Sequence, residues 1–340
     1  MTVQLATERY LSALEAEMQA LFVPALPELG DFYGYLRYHL GWADEHLQPA
    51  QAKSGKRLRP IFCLLAYEAC GRSDWERALP AAAAVELLHN FSLIHDDIED
   101  NDATRRGRPT LWALWGIPQA INAGDAMYAL TQLTLLRLSE RAVPDHITVH
   151  AATLLNQTCL QLTEGQFLDI RFETASRVPI ATYLQMIERK TASLLAASGE
   201  LGAWIAEGAP AQRSGMCNFG RHLGLAFQIQ DDILGIWGDP QVTGKPVGSD
   251  LLRRKKTMPI LHALSQSDSL SSLLQQQELS PADIQRAMAL LEKTGSRDWT
   301  QAQAEEQTAL ALQALDSSPL IDPAATHLRE LALRLLNRSQ

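Results

Sequence analysis

The chain has 340 residues, of which 46% are hydrophobic and 20% charged, the composition of an ordinary globular protein with a large core. The formal net charge of -9 argues against a general nucleic-acid-binding protein, and also against anionic substrates unless basic clusters or metals reverse the local field. Four scattered cysteines without a CxxC pair indicate free thiols in a reducing compartment, so we expect a cytoplasmic protein without a zinc site.

The N-terminal segment and the apolar runs give no sign of export or membrane insertion. The opening segment, "MTVQLATERYLSALEAEMQALF", contains acids and lacks the basic region and apolar run of a signal peptide. No apolar run reaches the roughly 18 residues that a membrane span needs. Length alone suggests about two domains, but no low-complexity linker divides the chain. We therefore expect no signal peptide and no membrane span.

Helical periodicity runs through most of the chain. Apolar residues recur at helical spacing over residues 76–100, 126–142, 146–170, 180–206 and 216–237. Closer to the C-terminus, "LSPADIQRAMALLEK" has Ser280 as a candidate N-cap and Pro281 at the first helical position. Alternating β-branched patterns, which predict strands, are nearly absent. The sequence therefore predicts an all-α protein of roughly ten or more helices.

The stretch "SLIHDDIEDND" concentrates acidic side chains at the end of the first of these long helices. Asp96 and Asp100 are four residues apart and share a helical face, with Asp97 beside them. Acids at a helix C-terminus oppose the macrodipole, so either water screens these charges or a cation binds there. Carboxylate oxygens suit Mg²⁺, which proteins commonly hold through one or two carboxylates together with substrate phosphates.

A second acidic pair, Asp231 and Asp232, comes late in the helix predicted over residues 216–237. Gln228 precedes the pair by three and four residues, which places it on the same helical face. Two acidic helix ends of this kind could face one cavity and hold several metal ions between them. For each motif taken alone, a solvated helix end is the alternative.

Basic side chains flank both acidic motifs. Arginine forks match phosphate oxygens, and lysine supplies a point charge. Taken singly, each of these residues is as well explained by a solvated surface charge. Together with the acids they indicate a diphosphate site. The basic residues are Lys56, Arg57, Arg59, Arg105, Arg106, Arg108, Lys190 and Lys245.

These motifs resemble those of the trans-isoprenyl (polyprenyl) diphosphate synthases, and most closely the short-chain members. The resemblance rests on "GKRLRP", "ELLHNFSLIHDDIEDND", "RRGRPT", "GDAMYAL", "GQFLDI", "KTASLL" and "FQIQDDILGIWGD…TGKPVGSDLLRRKKTMP", in the family's order and spacing. It covers residues from about 55 to 259 and implies one all-α domain over residues 1–340. In that fold a helical bundle surrounds a central cavity, and the protein is commonly a homodimer.

The resemblance also assigns the site residues. It implies Mg²⁺ as the cofactor, with three ions when substrate is bound, and the metal ligands Asp96, Asp97, Asp100, Asp231 and Asp232. It implies that isopentenyl diphosphate binds to Lys56, Arg59, His89 and Arg106, with Arg57 beside them. It implies that the allylic diphosphate contacts Arg105, Lys190, Thr191, Gln228 and Lys245. Of these, the groups expected to act in catalysis are Arg105, Lys190 and Lys245.

The implied activity is a prenyltransferase that joins isopentenyl diphosphate head-to-tail to an allylic diphosphate carrying a dimethylallyl, geranyl or farnesyl group. Two alternatives stay open: a terpene cyclase on the same fold, and a non-catalytic subunit that modulates a synthase. The isopentenyl-site residues argue against the first, and the retained acids and Lys190 against the second. One departure is Gly235, because the family's second motif often ends in Asp at this position.

The product length follows from the same resemblance. In this family a pocket below the first aspartate motif receives the growing chain, and bulky residues upstream of the motif close it. Phe91, Ser92 and Leu88 are the expected wall residues, although spacing alone would allow Phe91 to be an ordinary core residue. We expect a twenty-carbon product, geranylgeranyl diphosphate. The second candidate is fifteen-carbon farnesyl diphosphate.

Overall fold

The structure, a computed structural model, describes residues 3–52, 55–175, 177–240, 246–276 and 278–336. In these residues the chain is almost entirely helical. Its strands, β1 (Thr104–Arg105) and β2 (Arg108–Pro109), pair with each other in a short antiparallel hairpin. The prediction of an all-α fold is confirmed.

The described residues contain sixteen helices, numbered in chain order. The first seven are α1 (Val3–Gln19), α2 (Gly30–Leu40), α3 (Leu58–Ala69), α4 (Leu79–Glu99), α5 (Leu111–Trp115), α6 (Ile117–Leu136) and α7 (Asp145–Thr174). The others are α8 (Ile180–Ile187), α9 (Ser193–Ile205), α10 (Pro210–Trp237), α11 (Ser249–Leu252), α12 (Met258–Leu264), α13 (Asp268–Leu274), α14 (Pro281–Lys293), α15 (Ser296–Asp316) and α16 (Ala324–Leu336). Single 3₁₀ turns occupy Pro27–Leu29, Trp75–Ala78 and Arg137–Arg141.

Local sequence explains several helix boundaries. Ser280 caps α14 in a capping box with Asp283, and Pro281 follows at the first position, as the sequence predicts. Proline also stands in the first turn of α4 and of α6. The segment predicted as one helix over residues 180–206 is different, because a π-helical turn at Glu188–Ala192 separates α8 from α9. Such π-turns are rare and often mark functional sites.

Contacts divide the chain into two compact units. The first unit comprises Met1–Cys159, Ala197–Cys217 and Ser318–Leu328. Within it, α4 packs against α1, α3 and most extensively α6. Gly202 of α9 lies so close to the carbonyl of Cys63 on α3 that a side chain would collide with it. The small residues of α9 therefore serve close helix packing.

The second unit comprises Leu160–Ala196, Asn218–Ser317 and Arg329–Gln340. Its described core has two buried clusters. One contains Tyr183 and Ile187 of α8 with Ile229 of α10, and the other forms around Ile236, Leu251 and the apolar faces of α12 to α14. The expectation of one domain around a central cavity stays a prediction.

Candidate active site

The first aspartate motif lies at the C-terminal end of α4 in the first unit. Asp96 and Asp100 are half-buried, and Asp97 is buried. Arg105 of β1 donates from Nε to Asp97 Oδ1 at 2.6 Å. Burial raises the pKa of Asp97 to about 6, although the charge of Arg105 opposes the shift. Because Asp96 and Asp100 are more exposed than Asp97 and share one helical face, they are the carboxylates better placed for a metal.

The β1–β2 hairpin brings Arg106 next to the segment that contains "GKRLRP". Arg106 and Gly107 form its turn with positive φ values of 54° and 78°. Gly55 also has a positive φ, and a side chain there would come within 2.8 Å of the Arg106 guanidinium. The two basic segments therefore touch at a position that only glycine fits.

Arg59 and His89 complete this basic cluster. Arg59 Nη1 lies 3.3 Å from His89 Nε2. Burial, followed by the charges of Arg59, Arg106 and Arg105, lowers the pKa of His89 well below its usual value. The predicted isopentenyl-site residues Arg59, His89 and Arg106 are thus brought together, and His89 is a neutral hydrogen-bonding group. Lys56 is exposed beside them.

Arg57 has a structural position. Its side chain is only 2% exposed, and its guanidinium donates to Glu15 Oε1, to Glu86 Oε1 and to the carbonyl of Leu40. These partners occupy all three nitrogens of the guanidinium. Arg57 is therefore placed to fix the backbone between Lys56 and Arg59, and the expectation that it lies beside the isopentenyl-site residues stays a prediction.

The second unit holds Lys190 and Thr191 in its π-helical turn. Lys190 Nζ donates to Asp169 Oδ2 of α7 at 2.5 Å. Gly165, one helical turn earlier on α7, lets that helix approach the backbone of Lys190. Sequence reasoning quoted "GQFLDI" but did not single out Asp169. The sequence feature that could have identified Asp169 is that it is the one acid in this motif, whose other residues are an amide, a glycine and apolar side chains.

The second aspartate motif uses its two acids differently. Asp232 is buried, and its carboxylate accepts from the Tyr183 hydroxyl at 2.5 Å, the Met258 N–H at 3.1 Å and Gln228 Nε2 at 3.2 Å. Burial raises the pKa of Asp232 to about 7, although these hydrogen bonds oppose the shift. Asp231 is half-buried. Asp232 therefore anchors the helix, and Asp231 is the acid better placed for a ligand.

Gly235, the departure in the second motif, lies against the side chain of Asp250. A side chain at this position would collide with the carboxylate of Asp250 on α11. The space that the family's third acid would need is filled by another acid, so the local negative charge is kept.

The described residues also fit a metal that shares its ligands with a substrate. No group of three or more His, Cys, Asp or Glu side chains that could hold an ion occurs in the described part of the chain. Mg²⁺ commonly needs only one or two carboxylates when phosphate oxygens complete its shell. Asp96 and Asp100 provide such a pair. Lys245 lies outside the described residues.

The residues predicted to set the product chain length lie on α4, N-terminal to the first aspartate motif. Leu88 is buried, and the Ser92 hydroxyl donates to the carbonyl of His89 at 2.9 Å. Phe91 is half-buried, with its ring centroid 5.4 Å from that of Tyr128 on α6 and 4.9 Å from that of His95. Phe91 is therefore part of an aromatic contact between α4 and α6.

Sequence reasoning also missed His39 of α2. It lines a pocket together with Asp97, Arg105 and Arg106. No motif marks it, because its relation to these residues exists only in the folded chain.

Comparisons with known proteins place the chain in a family. The polyprenyl synthetase family model matches residues 41–291. The (2E,6E)-farnesyl diphosphate synthase of Mycobacterium tuberculosis is 38% identical over 94% of this chain and 90% of its own length. The geranylgeranyl diphosphate synthase of the same organism is 43% identical over 82% of this chain and 79% of its own length. A polyprenyl synthetase structure from Streptomyces coelicolor matches with a TM-score of 0.89 and 35% identity, covering 98% of this chain and 99% of the other. The chain therefore belongs to the polyprenyl synthetase family and is a prenyltransferase.

Proposed function

We propose that this prenyltransferase condenses isopentenyl diphosphate with an allylic diphosphate in the presence of Mg²⁺ to make a short all-trans product. The observation that carries the proposal is the cluster of Arg59, His89 and Arg106 in the same unit as the acidic pair Asp96 and Asp100. Cations with a neutral imidazole suit a diphosphate, and carboxylates suit its metal. The short-chain relatives named above support the product class.

The isopentenyl diphosphate binds at the basic cluster. Arg59 and Arg106 supply charged N–H donors, His89 supplies a neutral one, and Lys56 adds a charge at the exposed side. Arg57, held by Glu15 and Glu86, keeps this segment in place. Such charge-assisted hydrogen bonds contribute roughly 1.5–3 kcal/mol each.

The allylic diphosphate is assigned to the aspartate motifs and their neighbours. Asp96 and Asp100 in the first unit are the proposed Mg²⁺ ligands, and Asp231 is the proposed ligand in the second; Mg²⁺ would neutralise the diphosphate charge and favour its departure. Asp97 orients Arg105, and Asp169 orients Lys190. Thr191 donates to Gln228 Oε1 at 2.9 Å, which fixes both groups. Lys245 remains a proposed contact.

The reaction follows from charge. The allylic C–O bond breaks as its diphosphate departs, and the double bond of isopentenyl diphosphate forms a carbon–carbon bond with the allylic cation. Loss of a proton then restores a double bond. His89 is neutral but already contacts Arg59, so we infer that the departed diphosphate accepts this proton. Apolar walls exclude the water that would otherwise trap the cation.

The product is proposed to be geranylgeranyl diphosphate, with farnesyl diphosphate next. The contact of Phe91 with Tyr128 supports a closed wall on α4, with Leu88 and Ser92 beside it. The two mycobacterial relatives make the two candidate products according to their names, so similarity alone leaves both lengths open.

A homodimer is proposed from the surface of α6. Four of its large apolar side chains are 42–57% exposed, namely Ile117, Ile121, Leu133 and Leu136. A second copy of the chain would bury such a stripe symmetrically. The four free cysteines support a reducing, cytoplasmic location. No helix among the described residues is long and apolar enough to cross a membrane.

The test is incubation of the purified protein with isopentenyl diphosphate, Mg²⁺ and each allylic primer, followed by chromatography of the products. A twenty-carbon diphosphate that disappears when EDTA removes the metal is the expected result. A cyclic hydrocarbon formed without isopentenyl diphosphate would instead indicate a terpene cyclase. No product from any primer, together with stimulation of another synthase, would indicate a modulatory subunit.

A further inference from the structure

His39 lies among the basic groups proposed to hold isopentenyl diphosphate. It stands one residue before the end of α2, where the backbone turns at Gly41. It lines the same pocket as Asp97, Arg105 and Arg106. The tertiary fold therefore adds a histidine to a site that the sequence motifs describe without it.

One atom of the His39 ring, Nε2, has no hydrogen-bond partner among the described residues. This atom is buried. Asn90 hydrogen-bonds to the ring, and its amide nitrogen donates to the backbone and side-chain oxygens of Glu86, but neither contact satisfies Nε2. Because the great majority of buried polar atoms in native proteins have a hydrogen-bond partner, the unpartnered Nε2 atom indicates a site for a bound group.

The surroundings of His39 set its charge. Burial, followed by the charges of Arg105, Arg106 and Arg57, lowers the pKa of His39 to about 3. The imidazole is therefore neutral near pH 7 and has one N–H donor. A neutral donor can bind an anionic oxygen without adding another positive charge to a cluster that already holds several arginines.

His39 and His89 belong to one electrostatic cluster. The pKa of His89 is lowered by Arg106 and Arg105, after burial and Arg59, and His39 contributes to the same shift. Arg57 is committed to Glu15 and Glu86. A diphosphate that reaches Arg106 and His89 therefore enters the cluster that also contains the unpartnered Nε2 atom of His39.

We propose that His39 is a further binding residue of the isopentenyl diphosphate site, where its neutral imidazole donates a hydrogen bond to a diphosphate oxygen. The proposal rests on the proposed function, because Arg59, His89 and Arg106 define that site. It involves no covalent step. Its expected signature is a loss of isopentenyl diphosphate affinity without a loss of affinity for the allylic substrate.

The test compares His39→Phe, which keeps a ring but removes the donor, with His39→Gln, which keeps a donor. Steady-state kinetics give kcat and both KM values, and isothermal titration calorimetry without allylic substrate gives the Kd of isopentenyl diphosphate. We expect His39→Phe to raise the KM and Kd for isopentenyl diphosphate roughly 10- to 100-fold. The allylic KM should stay the same, and His39→Gln should recover most of the affinity.

The matched control is His46→Phe in the loop after α2, where the side chain is 79% exposed and no effect is expected. An unchanged Kd for isopentenyl diphosphate in folded His39→Phe would overturn the proposal. Equal losses for both substrates would also overturn it, because they would indicate a purely structural role. If His39→Phe does not fold, His39→Leu gives the same comparison. Failure of the wild type itself to bind isopentenyl diphosphate would refute the proposed function instead.

Discussion

Asp97 of the first aspartate motif and Asp232 of the second are both buried acids late in a long helix, but they have different partners. Asp97 accepts from the charged guanidinium of Arg105. Asp232 accepts from neutral groups, namely the Tyr183 hydroxyl, the Gln228 amide and the Met258 N–H. Burial raises both pKa values, to about 6 for Asp97 and about 7 for Asp232. The two Asp-Asp motifs therefore hold their buried acid in different ways. In the first unit an ion pair holds Asp97, and in the second unit hydrogen bonds from neutral groups hold Asp232.

The comparison also separates the acids that anchor a motif from those that face a ligand. In each motif one acid is buried in contacts, and the preceding one, Asp96 or Asp231, is half-buried. We therefore expect the second acid to govern local stability and the first to govern metal-dependent turnover.

The largest effect is expected for Asp96→Ala, which should lower turnover by roughly 10²- to 10³-fold or more, because a transition-state charge loses its stabilisation. The measurement is product formation at saturating Mg²⁺, with circular dichroism to confirm the helical fold. Glu99→Ala is the matched control, since Glu99 lies in the same motif but is exposed. Near-normal rates for Asp96→Ala would remove Asp96 from the metal site.

The next effect separates the two substrates. Arg106→Ala should mainly raise the KM for isopentenyl diphosphate, and Lys190→Ala should mainly lower kcat through slower ionisation of the allylic substrate. Each loss should cost roughly 1.5–3 kcal/mol, because a charge-assisted contact disappears. Steady-state kinetics with each substrate varied in turn give the split. Arg189→Ala, next to Lys190 but 43% exposed, is the control. Equal effects of both variants on both substrates would contradict the assignment.

A smaller effect concerns stability and pH. The folded pKa of Asp232, about 7, lies above the usual value near 3.8, so the folded state binds more protons between these limits. The free energy of unfolding should therefore fall as pH rises from about 4 to 7, by at most about 1.4 kcal/mol per pH unit. Asp232→Asn should flatten this slope in denaturant titrations of the metal-free protein.

Asp97 gives the contrasting variant. The pH range over which the titration of Asp97 changes the free energy of unfolding is narrower, from about 4 to 6. Asp97→Asn also removes the carboxylate that neutralises Arg105. At pH 8 we therefore expect Asp97→Asn to destabilise the protein and Asp232→Asn to cost less. The same denaturant titrations test this order. Identical losses for the two variants would show that the ion pair and the neutral hydrogen bonds are equivalent.

The smallest effect on rate, with a clear effect on product, is expected for Phe91→Ala on the helix of the first motif. Removing this ring from its contact with Tyr128 should deepen the pocket and shift the products to longer chains. Chromatography of product chain lengths is the measurement. Phe219→Ala on α10 is the control, since it removes a buried ring and should cost stability without lengthening the product. An unchanged product distribution with intact activity would show that Phe91 does not form the pocket floor.

Much of this protein could be predicted from local patterns. Apolar spacing identified the long helices, Ser280 and Pro281 marked the start of α14, and the acidic and basic motifs indicated a diphosphate site with metal. These features depend on neighbours a few residues apart, since a helix face, a cap and a charge cluster are all short-range in sequence.

Other features exist only because distant segments meet. From local sequence alone, Asp97 cannot be distinguished from Asp232, and Arg57 cannot be distinguished from Arg59. Only the fold gives Asp97 a cation, Asp232 a buried tyrosine and Arg57 two buried or half-buried acids. The π-turn that contains Lys190 lies against Gly165 of α7, and the proposed role of His39 depends on arginines far along the chain. Charge state and orientation follow from burial and from partners in space, and residue order alone does not determine these partners.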